Sequence, residues 1–204
     1  MIKDYLKKVF ISLLVFSCVY SMHAQIGTYP YIEDFESGTG GWTVHGNDPS
    51  WELGTPSGNI IDMAASGDNT WVTNLDGNYN VLDQSWVESP IFDFSSLTNP
   101  MVQFNIWWDL QTVWDGGILY SSIDSGISWQ IVGSINSGIN WYNYSNIYPG
   151  IDTDAWSGGS QGYKTAVNYV INLAGESDVK FRIYLLSNNN TVREGIGFDD
   201  FQIY

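Results

Sequence analysis

The sequence predicts an all-β fold, an antiparallel two-sheet jelly-roll sandwich, and three observations carry that reading. Short runs place apolar or aromatic residues at every second position, as Val179, Phe181, Ile183 and Leu185 do; turn residues break these runs repeatedly; almost no stretch keeps a helical period over three turns. Two sheets, each sending alternate side chains inward, accommodate this count and spacing of strands.

In chain order, the first element is an export signal. Lys3, Lys7 and Lys8 precede an apolar run from Val9 to Val19, which ends in Ser21-Met22-His23-Ala24. This is the anatomy of a signal peptide over residues 1–24, with the mature chain beginning at Gln25. The run falls short of the roughly 20 residues a membrane span needs, and no second candidate follows. A competing reading takes Cys18 as the acylated residue of a lipoprotein signal, and the bulky Phe16 before it argues against that.

Residues 25–204 then form one domain. Its weaker predicted strands are Tyr29 to Phe35, Trp42 to His45, Trp51 to Leu53, Trp71 to Thr73 and Trp86 to Phe92. The clearest are Met101 to Leu110, Gly117 to Ser122, Trp129 to Ser134, Ala166 to Leu173, Val179 to Leu186 and Gly197 to Tyr204, all rich in β-branched or aromatic residues. Two irregular segments interrupt them, Gly54 to Asn69 and Asn136 to Gly162. The second carries Trp141, Tyr142, Tyr144, Tyr148 and Trp156, and long loops rich in aromatics are read as functional rather than disordered. The chain ends at Tyr204 directly after the last predicted strand, so it is either a fragment or leaves the cell by a route that needs no sorting domain.

Composition removes several function classes. The single cysteine lies in the signal, so the mature domain has neither disulfide nor thiol chemistry and must be held by its core or by metal ions. The signal takes three of the 7 basic residues and one of the 22 acidic ones. That leaves Lys164, Lys180, Arg182 and Arg193 against 21 carboxylates, a net charge of −17 that argues against nucleic acid. His45 is the only histidine of the mature chain, so neither a hydrolytic triad nor a histidine-rich zinc site can be assembled. A glycosidase needs only two carboxylates roughly 5–9 Å apart, but no strand alternates them. The domain reads as non-catalytic.

Two patterns are specific. Ser122-Ile123-Asp124-Ser125-Gly126-Ile127-Ser128-Trp129 matches an Asp-box hairpin, in which the aspartate accepts the turn's own amides, the glycine supplies a positive φ and the tryptophan folds back over the hairpin. Asp34-Phe35-Glu36, Gly41-Trp42, Trp51-Glu52-Leu53-Gly54, Ser89-Pro90 and a closing Gly197-Phe198-Asp199-Asp200-Phe201 occur in that order. Together they resemble MAM-like jelly-roll domains and, equally, the cleaved-adhesin domains of secreted Bacteroidota proteases. The cysteines of animal MAM domains and the Asp/Gly-rich calcium loop of the protease adhesins are both absent. The resemblance implies a secreted or cell-surface module for adhesion or carbohydrate binding, with an accessory protein-interaction domain of a larger secreted protease or assembly as the alternative and a glycosidase third. Its partner would be a glycan or a cell-surface protein.

The same resemblance sets Glu36 beside Asp199, because first and last strands of such sandwiches are neighbours. A calcium ion would satisfy both carboxylates; the other reading is that Asp199 caps backbone amides. Strict alternation puts Asp199 on the face of Phe201 and Ile203, and Asp200 on that of Phe198 and Gln202. Trp107 and Trp108 are adjacent on a strand, so one points away from the core, to solvent or to a covering loop. The expected ligand surface is Trp141, Tyr144 and Trp156 of the second long loop with the outward member of that pair. Against it stands the reading in which the loop folds down as a lid and buries its own rings.

Overall fold

A computed structural model describes residues 25–147 and 153–204. The predicted signal segment with Cys18, and Tyr148 and Asp152 of the second long loop, lie outside the described residues.

The domain is all-β. Its strands are β1 (Tyr31–Glu33), β2 (Thr43–Asn47), β3 (Trp51–Gly54), β4 (Thr70–Thr73), β5 (Gln84–Glu88), β6 (Met101–Asp109), β7 (Gly116–Ser122), β8 (Gln130–Ile131), β9 (Lys164–Tyr169), β10 (Lys180–Leu186) and β11 (Gly195–Ile203). One sheet runs β3-β4-β11-β6-β9 with β1 also paired to β11; the other runs β2-β5-β10-β7-β8, and every named pairing is antiparallel. The first and last strands are neighbours, as the sandwich reading requires: Tyr31 faces Ile203 and Glu33 faces Phe201.

Alternation explains the core between the sheets. Val102, Phe104, Ile106 and Trp108 of β6 point in against Phe181, Ile183 and Leu185 of β10, and all are buried. Phe104, Phe181, Phe198, Phe201 and Trp42 form a contiguous ring cluster, with centroids 4.8–5.8 Å apart in the pairs Trp42–Phe201, Trp42–Phe198, Phe104–Phe201 and Phe181–Phe201.

Three predicted elements differ. The strand expected at Trp129 to Ser134 pairs only at Gln130–Ile131. The one expected to reach Leu173 ends at Tyr169, and Ile171–Leu173 forms a 3-10 turn that turns Leu173 into the core. In β11 the alternation breaks at a bulge between Asp199 and Gln202, where Asp200 takes φ 51°. The extra residue lets Phe198 and Phe201 both face inward, which corrects the strict alternation: Asp199 lies on the outer face, not with Phe201 and Ile203.

Candidate functional site

The second long loop closes one edge of the sandwich. Ile139 bridges to Val167 in β9 and Trp156 to Gly117 in β7, so the segment ties the edge of one sheet to that of the other. Trp141, Tyr142 and Trp156 fill the gap between them. Trp156 stacks edge-on against Phe104 at 5.8 Å, Trp141 at 5.3 Å and Tyr142 at 4.6 Å. Their polar atoms are satisfied by backbone: Trp141 Nε1 donates to Val132 O and Trp156 Nε1 to Asn140 O, both at 2.9 Å.

This corrects the exposed aromatic platform expected there. Trp141 is 2% exposed and Trp156 0%, because an open sandwich edge buries large rings more favourably than water accommodates them. Tyr144 is half-buried against the same core. Of the adjacent pair, Trp108 is the core member. Trp107 points outward and packs edge-on against Tyr163 at 5.4 Å, with its Nε1 buried and without an acceptor.

The first long loop lies on the outer face of the six-stranded sheet. Gly197 of β11, paired with Trp107, marks the contact: a Cβ there would stand 3.1 Å from the Tyr163 hydroxyl and 3.5 Å from Ile61. Three carboxylates hold the loop down. Glu194 accepts the amides of Asn59, Ile60 and Ile61 at 2.7–2.8 Å; Asp199 Oδ2 accepts those of Ala65 and Ser66 at 3.0 and 3.1 Å; Glu36 Oε1 accepts those of Asp68 and Asn69 at 3.0 and 2.7 Å. Glu36 and Asp199 thus come together around one loop, each as an amide acceptor. Among the described residues no three acidic, histidine or cysteine side chains converge as a metal-holding group. Asp199 is fully buried, and desolvation, with repulsion from Asp200 working against the amide bonds, pushes its carboxyl up to about 6.

The outer face of the five-stranded sheet is different. Trp86 and Glu88 of β5, Tyr120 of β7, and Lys180, Arg182 and Tyr184 of β10 alternate with core residues and are only half-buried, beside the exposed His45 of β2. Strand register lines them up in two rows: His45, Trp86 and Tyr184 face one another across β2, β5 and β10, and Glu88, Arg182 and Tyr120 across β5, β10 and β7. In the first row His45 stacks on Trp86 at 5.8 Å and Trp86 on Tyr184 at 5.7 Å, with interplanar angles of 15° and 21°.

Arg182 lies among four rings. Its guanidinium carbon is 4.4 Å from the Trp129 centroid, 4.8 Å from Trp86, 4.9 Å from Tyr120 and 5.4 Å from Tyr184. Trp129 is brought there by the 122–129 turn, in which Asp124 accepts from Ser128 N and Oγ, Gly126 takes φ 93° and Trp129 Nε1 donates to Gly126 O. Burial draws the Arg182 pKa down, opposed by Tyr120, Tyr184 and Glu88. A pocket beside the rows is lined by Thr43, His45, Glu88, Pro90 and Lys180, among others.

Sequence reasoning named none of Trp86, Tyr120, Arg182 or Tyr184 as site residues. The signal was present in β10, where Lys180, Arg182 and Tyr184 alternate with Phe181, Ile183 and Leu185. Knowing that these residues meet Trp86, Glu88 and Tyr120 required the strand pairing.

No protein-family model matches the chain. Bacillopeptidase F of Bacillus subtilis (strain 168) is 36% identical over 109 residues, 52% of this chain and 7% of that relative's length. Among solved structures, a carbohydrate-binding module, TmCBM61 in complex with β-1,4-galactotriose, superposes with a TM-score of 0.51 at 14% identity, covering 84% of this chain and 93% of that one. The K3 cleaved adhesin domain of Lys-gingipain from Porphyromonas gingivalis W83 gives 0.49 at 13% identity, covering 85% and 97%. The superposition on the carbohydrate-binding module agrees with the β-sandwich built above, and at that identity it speaks for the fold alone.

Proposed function

We propose that this chain is a non-catalytic carbohydrate-binding module of a secreted or cell-surface protein, and that its ligand lies along the outer face of the five-stranded sheet. The observation that carries the reading is the row of His45, Trp86 and Tyr184, parallel rings on a half-buried face fixed by cross-strand pairing. Rings held in place by a sheet lose little entropy when a sugar stacks on them, and the polar residues beside them supply hydrogen bonds. A module of the same fold was solved with β-1,4-galactotriose bound. Localised sequence similarity to a much longer peptidase supports the role of an accessory module within a larger protein.

The test is a glycan array followed by affinity electrophoresis on the parent, Trp86→Ala and Tyr184→Ala. At least one polysaccharide should retard the parent, and each substitution should weaken that retardation at least about 10-fold, with a stability loss near 1 kcal/mol. Full binding by both variants, or no glycan bound by the parent, overturns the proposal.

A further inference from the structure

Resting on the carbohydrate-binding reading, we infer that the open face selects an acidic saccharide, one that bears a carboxylate or a sulfate, and that Arg182 is the residue that recognises the anion. The first observation is the placement of charge. The mature chain has four basic residues. Two of them, Lys180 and Arg182, stand two residues apart on the outward side of β10, joined there by His45 across the same sheet. Arg193 lies elsewhere, 3.6 Å from Asp109, and Lys164 begins β9 in the other sheet. An acidic domain thus sets half of its fixed positive charge on the one face that carries an aromatic row.

The second observation is how that charge is held. Lys180 is neutralised by Glu88, at 2.7 Å. Arg182 has no such partner: its Nε is buried without an acceptor, and the guanidinium is positioned by the faces of Trp86, Tyr120, Trp129 and Tyr184. Ring faces hold a cation without taking up its N–H donors. A guanidinium fixed in this way presents a planar fork to a carboxylate or sulfate, which accept in a bidentate manner, while a neutral sugar offers hydroxyls that form weaker bonds. The donors that would meet an anion are the terminal N–H groups of the guanidinium, since the Nε is itself buried.

The experiment titrates the whole mature domain with a panel of neutral oligosaccharides, each paired with its uronate counterpart and its sulfate ester on the same backbone. The acidic member should bind at least about 10-fold more tightly than its neutral parent. Comparing the uronate and sulfate arms identifies which anion is preferred. Arg182→Gln should abolish that preference, and Arg182→Lys, which keeps the charge and loses the fork, should retain part of it. Melting curves identify any variant that fails to fold, and the preference of the parent needs no variant at all. Neutral and acidic members bound equally by the parent would overturn the selectivity and leave the carbohydrate-binding reading standing. So would a preference that survives in a folded Arg182→Gln. Binding of no member of the panel would overturn both.

Discussion

The two sheets carry the same alternating pattern, yet their outer faces have opposite fates. On the six-stranded sheet the face is roofed by residues 55–69 and Tyr163, and its carboxylates Glu36, Glu194 and Asp199 are engaged with seven loop amides. On the five-stranded sheet the face keeps a half-buried row of rings and a guanidinium whose Nε lacks an acceptor. An unmet donor or acceptor under a roof costs about 1–3 kcal/mol, and the three carboxylates there are all met by loop amides. Groups at a face left open can stay available for a ligand. The roofed face thus binds its loop through carboxylates, although Trp107 Nε1 beneath it lacks an acceptor, and strand pattern alone does not tell the two faces apart.

The strongest way to sharpen this contrast is to unseat the segment that closes the sandwich edge. Trp156→Ala should cost about 3–5 kcal/mol, as for a buried large-to-small change, and lower the melting temperature by roughly 10 °C. Because Trp156 lies away from the open face, any domain that remains folded should keep its glycan affinity. A variant that melts like the parent would mean the ring is not core.

Next comes the roof itself. Glu194→Ala removes the acceptor for three amides, those of Asn59, Ile60 and Ile61, and should destabilise the domain by about 3 kcal/mol. Hydrogen exchange should accelerate at those three amides and not along β5 or β10. Uniform acceleration would show that the loop is no separate layer and would break the comparison.

The smallest effect belongs to Asp199. Burial pushes its carboxyl up to about 6 from an ordinary 3.8. In that interval the folded state binds more protons than the unfolded one, so stability falls as pH rises from about 4 to about 6 and is flat in this group beyond either end. Asp83 and Asp115, also raised by burial, act in the same direction. Asp199→Asn should therefore flatten part of the rise in melting temperature between pH 7 and pH 4, by a few degrees. Chelation should leave the melting of both proteins in place. A calcium-reversible drop in the parent that Asp199→Asn lacks would put a cation at this corner after all.

How much was legible in the sequence depends on how local the cause is. All eleven strands among the described residues overlap predicted ones, and in the long strands β6 and β10 the cause is alternation, a property of neighbouring residues that the pleat enforces. The turn at 122–129 did too, since Asp124, Gly126 and Trp129 act within eight residues. Strict alternation set Asp199 with Phe201 and Ile203, and the bulge instead buries it on the opposite face.

The sequence by itself determined that the chain is a β-sandwich, strongly acidic and with more aromatic rings than turns and strand ends need. Only the tertiary structure decided which rings are core and which lie on an open face. Trp141 and Trp156 look like surface residues until β7 and β9 stand at one edge with a gap between them. Trp86, Tyr184 and Arg182 look like three unrelated positions until β5 and β10 pair in register. Exposure is a property of what lies across the sheet, and Trp86 and Tyr184, which face one another, are 98 positions distant in the chain.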